Sequence, residues 1–276
     1  YAKKVYDGID SKKVKEMGWF LPRKNLSYEN LLDSLLSDPK LLRKNEQQLF
    51  GQYYKLRDVL KKYRQIEKNG GWNPIAIDSL EKTYKPSDSS KTIGQIRQRL
   101  ALTGDLKLDS KSNVYDEELM AGILNYKKRN GFNTDYLIAS KHIQRMNIPI
   151  ENYIKTIIAN MERCRWIDPK LTKTDEYIII NIPSYQFFFK KNGQNELESK
   201  VFVGKNMNKT VVLSSNIDKI VFSPYWNIPK SIIENEIKYA IERDENYLEK
   251  HNIEWYKGNL RQKPGPKNSL GLVKFI

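Results

Sequence analysis

A chain of 276 residues has room for about two domains at roughly 150 residues each. Hydrophobic residues make up 39% and charged residues 29%, a polar but globular composition, and an aromatic share of 11% excludes a disordered chain. The 48 Lys and Arg exceed the 33 Asp and Glu, giving a formal charge of +15 that points to an anionic partner or surface; the basic residues are dispersed, unlike a nucleic-acid-binding arm.

The chain starts at Tyr1 rather than Met, which reads as a mature or trimmed product, with room for a removed signal or a membrane anchor ahead of it. No run of 18 apolar residues is present. Residues 1–85 lean helical. Leu31, Leu32, Leu35 and Leu36, then Leu41 and Leu42, then Leu49, Tyr53, Leu56 and Leu60 recur at three- and four-residue steps. Pro39 is expected to separate two helices, and Asn69, Gly70 and Gly71 to stop the second. No chemistry is visible in this part, which reads as a scaffold.

Residues 86–90, PSDSS, form a polar linker. Beyond it Thr92 is expected to cap a helix that presents Ile93, Ile96 and Leu100 on one face. A second helix carries Leu119, Ile123 and Tyr126, with Gly131 as its C-cap. A third, short helix runs toward Asn147 and Pro149. This small all-helical block, residues 86–150, resembles the peptidoglycan-binding domain family at Leu119, Ile123, Tyr126, Gly131, Asp135, Ile138, Ile143, Met146 and Asn147. It departs from the family at Tyr136 and Ala139, where glycines are usual.

A connecting helix follows over 151–173. Ile150, Ile154, Ile157, Met161 and Cys164 recur at helical spacing, so the single cysteine sits on an apolar face. Arg163 and Arg165 flank it but point away around the helix, and a buried structural thiol is expected rather than a nucleophile. One cysteine permits no intrachain disulfide. His142 and His251 lie in no nucleophile motif and no HExxH spacing occurs, so each is expected to be a surface or packing residue; no metal or cofactor is expected.

After residue 174 the period changes. A dense β-branched and aromatic run from Glu176, the Asn192-Gly193 turn signal and a second strand from about Glu198 to Val203 predict a β-hairpin. A further strand is expected from Lys219 to Ser223, then a helix with Ile232, Ile233, Ile237 and Ile241 on one face. The chain closes on PGPKNSLGLVKFI: a turn at Pro264, Gly265 and Pro266, short polar Asn268 and Ser269 bonding to nearby main chain, then Leu270, Leu272, Val273, Phe275 and Ile276 as a strand entering a core. Gly271 within that strand is read as a place of close approach by a ligand or another backbone.

The order NIPSYQFFF, VFVGK, SPYWNIPKSI, YLEKHNI and PGPKNSLGLVKF resembles the L,D-transpeptidase family (YkuD-type catalytic domain), in the subgroup that also carries a peptidoglycan-binding domain and a helical scaffold. The resemblance implies an α+β protein: a helical scaffold (1–85), a peptidoglycan-binding-like module (86–150), the connecting helix, and a mainly β, sandwich-like catalytic domain (174–276) incomplete at its C-terminus. It implies a cysteine acyl-enzyme that cross-links peptidoglycan, with peptidoglycan stem peptides and glycan as partners, a periplasmic or envelope location, and sensitivity to β-lactams. The family's catalytic cysteine and histidine fall after the closing motif, so no catalytic residue is assigned in this chain, which as it stands is expected to be inactive. Asn268, Leu270, Gly271, Lys274 and Phe275, with Tyr225 and Trp226, are expected to line the donor cleft. Two other readings stand beside it: a non-catalytic wall-binding or envelope scaffold, and nucleic-acid binding, which rests on charge alone and is not expected.

Overall fold

A computed structural model of the chain describes residues 2–24, 27–38, 40, 49–77, 83–204 and 209–276. By contact it divides into two compact units, Tyr1–Leu213 and Ser214–Ile276. Helices dominate the first and short strands the second, so the α+β class is observed.

The first unit opens with helices α1 (Ala2–Asp7), α2 (Ser11–Glu16) and α3 (Tyr28–Ser37), and the two-residue strand β1 (Trp19–Phe20), which pairs in parallel with β7 (Val212–Leu213). Asp10 and Ser27 cap α2 and α3 by accepting from Lys12 N and Asn30 N. The leucine stripe of α3 buries nothing, and Leu32 and Leu36 are exposed. The expected break at Pro39, and Leu41 and Leu42, lie outside the described residues.

Helix α4 (Gln52–Lys68) ends where Asn69 and Gly70 turn the chain, and it packs against α8 (Ile150–Arg165). Between them Tyr63, Ile66, Ile150, Ile154, Ile157 and Met161 form one core, flanked by Tyr53, Leu56, Leu60, Trp72 and Tyr153. The apolar spacing of α8 is thus the inner face of a helix pair, beyond a connection.

A second core lies in the module between these helices. It is built by α5 (Lys91–Thr103), α6 (Glu117–Asn130) and α7 (Ser140–Met146), with the strand pair β2 (Thr83–Tyr84) and β3 (Ile138–Ala139). Ile93, Ile96, Leu100, Leu119, Ile123, Tyr126, Ile138, Ile143 and Met146 meet there, together with Ile75, Tyr84, Leu106 and Tyr115. The cap of α5 is Ser90, which accepts from Ile93 N at 3.2 Å, and not Thr92. Thr92 is buried, and its hydroxyl donates to the Ala76 carbonyl at 3.3 Å. Gly131 does end α6, with φ +70, a conformation that costs a side-chain-bearing residue about 1 kcal/mol or more.

Polar clips close the module. Asn147 accepts from Ile75 N at 2.8 Å and donates to Ile75 O at 2.9 Å, tying segments 72 residues apart. Asn147→Ala should lower stability by about 2 kcal/mol, since it leaves both backbone groups without a partner; a urea titration of the folded protein measures it. Arg129 donates from Nε and Nη2 to the carboxylate of buried Asp105 at 2.8 and 2.6 Å.

Residues 176–200 form a three-stranded antiparallel meander: β4 (Glu176–Asn181), β5 (Gln186–Lys191) and β6 (Gln194–Lys200). Two expectations are corrected here. The apolar run is broken by a 3-10 turn at Ile182–Ser184 and by Tyr185 at φ +55, so it supplies two strands rather than one. The strand after the Asn192-Gly193 turn begins at Gln194, not Glu198, and stops at Lys200, so Val201 and Val203 lie outside it and Phe202 is fully exposed.

The second unit is wound around a small core of Ile228, Ile237 and Leu260. Strand β8 (Ile220–Phe222) lies inside the expected range and pairs antiparallel with β12 (Val273–Phe275). The helix α9 runs through Lys230–Ile232, a π turn at Ile233–Ile237, and Lys238–Arg243; Ile232, Ile233 and Ile241 pack around buried Ile237, as the periodicity predicts. After the single turn α10 (Tyr247–Lys250), a hairpin of β10 (Ile253–Tyr256) and β11 (Asn259–Gln262) forms over a Lys257-Gly258 turn, both residues at positive φ. Strand β11 also pairs with β9 (Trp226–Asn227). These strands make two separate small sheets, and among the described residues large apolar side chains such as Phe222 and Trp255 stay exposed.

Candidate donor-cleft edge

The closing motif folds as two successive turns followed by a short edge strand. Asn268 N donates to Gly265 O at 3.0 Å, with Pro266 at the second position of that turn, and Gly271 N donates to Asn268 O at 2.8 Å. The strand expected from Leu270 is shorter than its apolar letters: it runs over Val273–Phe275, with Ser223 N donating to Leu272 O and Ile276 N to Lys219 O, both at 2.9 Å, at its two ends, and Leu272, Phe275 and Ile276 are exposed rather than buried in a core. Gly271 is not inside a strand, and among the described residues no atom beyond its two chain neighbours lies within 4 Å of where a side chain would start. Its φ of +72 is what the turn requires of it.

Asn268 is buried at 6% exposure. Its Nδ2 donates to Lys263 O at 2.9 Å and Pro224 O at 3.1 Å, while Oδ1 accepts from Leu270 N at 2.8 Å. The bond to Pro224 brings the closing loop beside Tyr225 and Trp226. Tyr225 is exposed, with the Arg261 guanidinium 4.0 Å from its ring centre; Trp226 is half-buried against the Ile228 core and sits opposite Gln262 in the sheet. Leu270 is half-buried, and Gly271, Lys274 and Phe275 face solvent. Lys274 and Phe275 stand opposite Val221 and Ile220.

Two residues in this neighbourhood carry no sequence signal. Arg261 lies between the rings of Tyr225 and Tyr256, 3.5 Å from the latter's centre, and donates to Glu254 at 2.7 Å. That bond to Arg261 holds the Glu254 carboxyl below its usual range. Gln262, on the inner face of β11, holds the closing loop by its side-chain amide. The Lys257-Gly258 turn is the nearest sequence feature, and it singles out neither residue.

Cys164 lies in the first unit on the buried face of α8. Burial pushes its thiol up to about 11 against the opposing charge of Arg165. Arg165 is engaged elsewhere, with Val5 O at 2.8 Å and Glu162 at 2.7 Å. A thiol kept protonated in this way is a poor nucleophile. His142 is buried against Phe132, and His251 stacks on Tyr247 with ring centres 4.2 Å apart. Among the described residues no cluster of His, Cys, Asp and Glu could hold a metal ion, and no helix is long and apolar enough to cross a membrane.

Residues 175–276, which include this turn-strand edge, match the L,D-transpeptidase catalytic domain family. Within the chain, 75 residues are 37% identical to a Haemophilus influenzae protein whose name assigns it provisionally to the L,D-transpeptidases. The match spans 27% of this chain and 15% of that protein.

Proposed function

We propose that the chain is part of an L,D-transpeptidase that cross-links peptidoglycan in the bacterial envelope. The observation that carries this reading is the match of residues 175–276 to the L,D-transpeptidase catalytic domain. The chemistry proposed is acyl transfer. A cysteine thiolate in sequence following Ile276 attacks the carbonyl at the L-centre of the third stem residue. The amide bond to the terminal D-alanine breaks, its nitrogen takes a proton from the partner histidine, and a thioester forms. The amine of a neighbouring stem then attacks the thioester, making the cross-link and releasing the thiol.

In this reading Leu270, Gly271, Lys274, Phe275 and Tyr225, which are exposed or half-buried, contact the donor stem. Asn268 and Trp226 support that edge from behind. The module of residues 86–150 serves as the glycan-binding part. The departures from its family at Tyr136 and Ala139 fall away from the helical core positions, which are all filled by packing. The formal charge of +15 suits an anionic envelope polymer.

Intact-mass spectrometry after incubation of the full-length protein with a carbapenem tests the assignment. One adduct should form on a cysteine downstream of Ile276, equally in wild type and Cys164→Ser. An adduct mapped to Cys164 would overturn the assignment. No adduct at all, with retention on purified sacculi, would replace it by the non-catalytic wall-binding scaffold.

A further inference from the structure

The closing loop is held by a side chain that no motif points to. Gln262 ends β11 on the inner face, beside Leu260, and is only 5% exposed. Its Nε2 donates to His251 O at 3.0 Å, in the segment that leads into β10, and to Lys267 O at 3.1 Å in the loop. Its Oε1 accepts from Ser269 N at 2.9 Å. From the loop side Asn268 reaches back to Lys263 O, Pro224 O and, at 3.4 Å, Gln262 O. Both amide donors of Gln262, and the carbonyls of four segments, are thus tied into one buried knot.

We propose that Gln262 is a positioning residue for donor binding: with Asn268 it forms an amide clasp that sets the path of residues 264–272 and thereby places Leu270 and Gly271 at the cleft edge. The role in donor binding rests on the transpeptidase reading; the clasp does not. Ser223 N donates to Leu272 O at 2.9 Å, but residues 264–271 have no sheet ladder of their own and contain two glycines at positive φ, Gly265 and Gly271, so their unheld backbone has many conformations to sample. Each clasp bond replaces a carbonyl or N–H contact with water, and a buried group left unmatched is costly, so alternative loop paths are disfavoured together. The residue type fits the task. A glutamate would set a carboxylate oxygen against the carbonyls of His251 and Lys267, where only a donor satisfies both.

The test uses the full-length protein with Gln262→Met and Gln262→Glu. Amide exchange followed by mass spectrometry should show residues 267–271 opening at least about tenfold faster in both variants, with Trp255 and Leu260 at wild-type rates. The KM for a tetrapeptide donor should rise about tenfold while kcat stays within about threefold, because uniform binding is lost and the chemistry is not. Unchanged loop exchange in a folded variant overturns the clasp. Loop release without a change in KM overturns the positioning role, as does loss of protection throughout β10 and β11 in both variants, which would make Gln262 a residue of the fold alone. A wild-type protein that forms no acyl-enzyme removes the transpeptidase reading and the donor role with it, and the exchange rates still decide the clasp.

Discussion

Replacing Arg97 by Leu should lower the unfolding free energy of the helical module by about 3–5 kcal/mol, the cost of stranding a buried charge network. Arg97 is fully buried, and its planar fork is used to the end. Nε donates to Ser112 O at 3.1 Å, Nη1 to Glu118 at 2.9 Å, and Nη2 to Val114 O at 2.9 Å and Asp116 at 2.7 Å. One side chain on α5 therefore fastens the loop ahead of α6 and the first turn of α6 itself. Asp116 is also the cap of α6, accepting from Leu119 N at 3.0 Å, so losing the guanidinium loosens that cap as well. Leucine fills much of the volume but leaves two carbonyls and two carboxylates unmatched. The carboxylates are partly exposed and can be rehydrated, which favours the lower end of the range. Lysine should recover only part of the loss, since its ammonium cannot reach four acceptors in the plane of the guanidinium. Urea unfolding of wild type, Arg97→Leu and Arg97→Lys gives the comparison, and a loss below about 1 kcal/mol for leucine would remove the network from any account of this module's stability.

The network also shows where sequence reading stops. The core positions of α5, α6 and α7 were legible because Ile93, Ile96 and Leu100, and Leu119, Ile123 and Tyr126, repeat at the helical period and are ended by turn-forming residues. Arg97 lies between them, and nothing local distinguishes it from a solvated arginine. Its partners are up to 21 residues away. The cap was misplaced for a simpler reason: PSDSSKT offers several short polar side chains, and only the backbone geometry selects Ser90.

In the β region the readable signals were the turns. Asn192-Gly193 was placed correctly, but β6, QNELESK, is polar and exposed along its length, so apolar content drew the expected strand toward Val201 and Val203. The hairpin of β10 and β11 has no such signal, because IEWY and NLRQ carry too little alternation to announce a strand. The candidate site follows the same rule. The loop and its glycines are legible as PGPKNSLG, whereas Gln262, which holds it through Lys267 O and Ser269 N, lies on a strand whose pairing with other segments no spacing reveals.

Acidification should weaken the module over a window set by His142. Its ring is buried, and burial first, then the neighbouring charges of Lys127 and Lys141, depress its pKa from 6.5 to about 4, with Asp135 pulling the other way. The geometry shows what protonation breaks. Nδ1 accepts from Ala139 N at 2.9 Å at the start of α7, so that nitrogen must be unprotonated, while Phe132 covers the ring edge-on at 4.7 Å. Above pH 6.5 the histidine is neutral folded and unfolded, and it adds no pH dependence. Below 6.5 the unfolded chain takes up a proton that the folded chain refuses, so stability falls with pH until about 4, where the folded state is protonated too. The full loss is on the order of 3 kcal/mol at 1.36 kcal/mol per pKa unit. Asp116 and Asp135, both held below the usual carboxylate range, Asp116 against its partial burial by Arg97 and Asp135 chiefly by its bond to Lys127, keep their contribution above their unfolded values and lose it only as pH falls through their lower folded ones. Their effect therefore sits at the acid end of the histidine window or beyond it. Thermal unfolding at pH 7.5, 5.5 and 4.5 measures the slope, and His142→Gln, which can still accept from Ala139 N but does not titrate, should flatten it. Equal slopes in wild type and His142→Gln would mean that the acid sensitivity comes from another group.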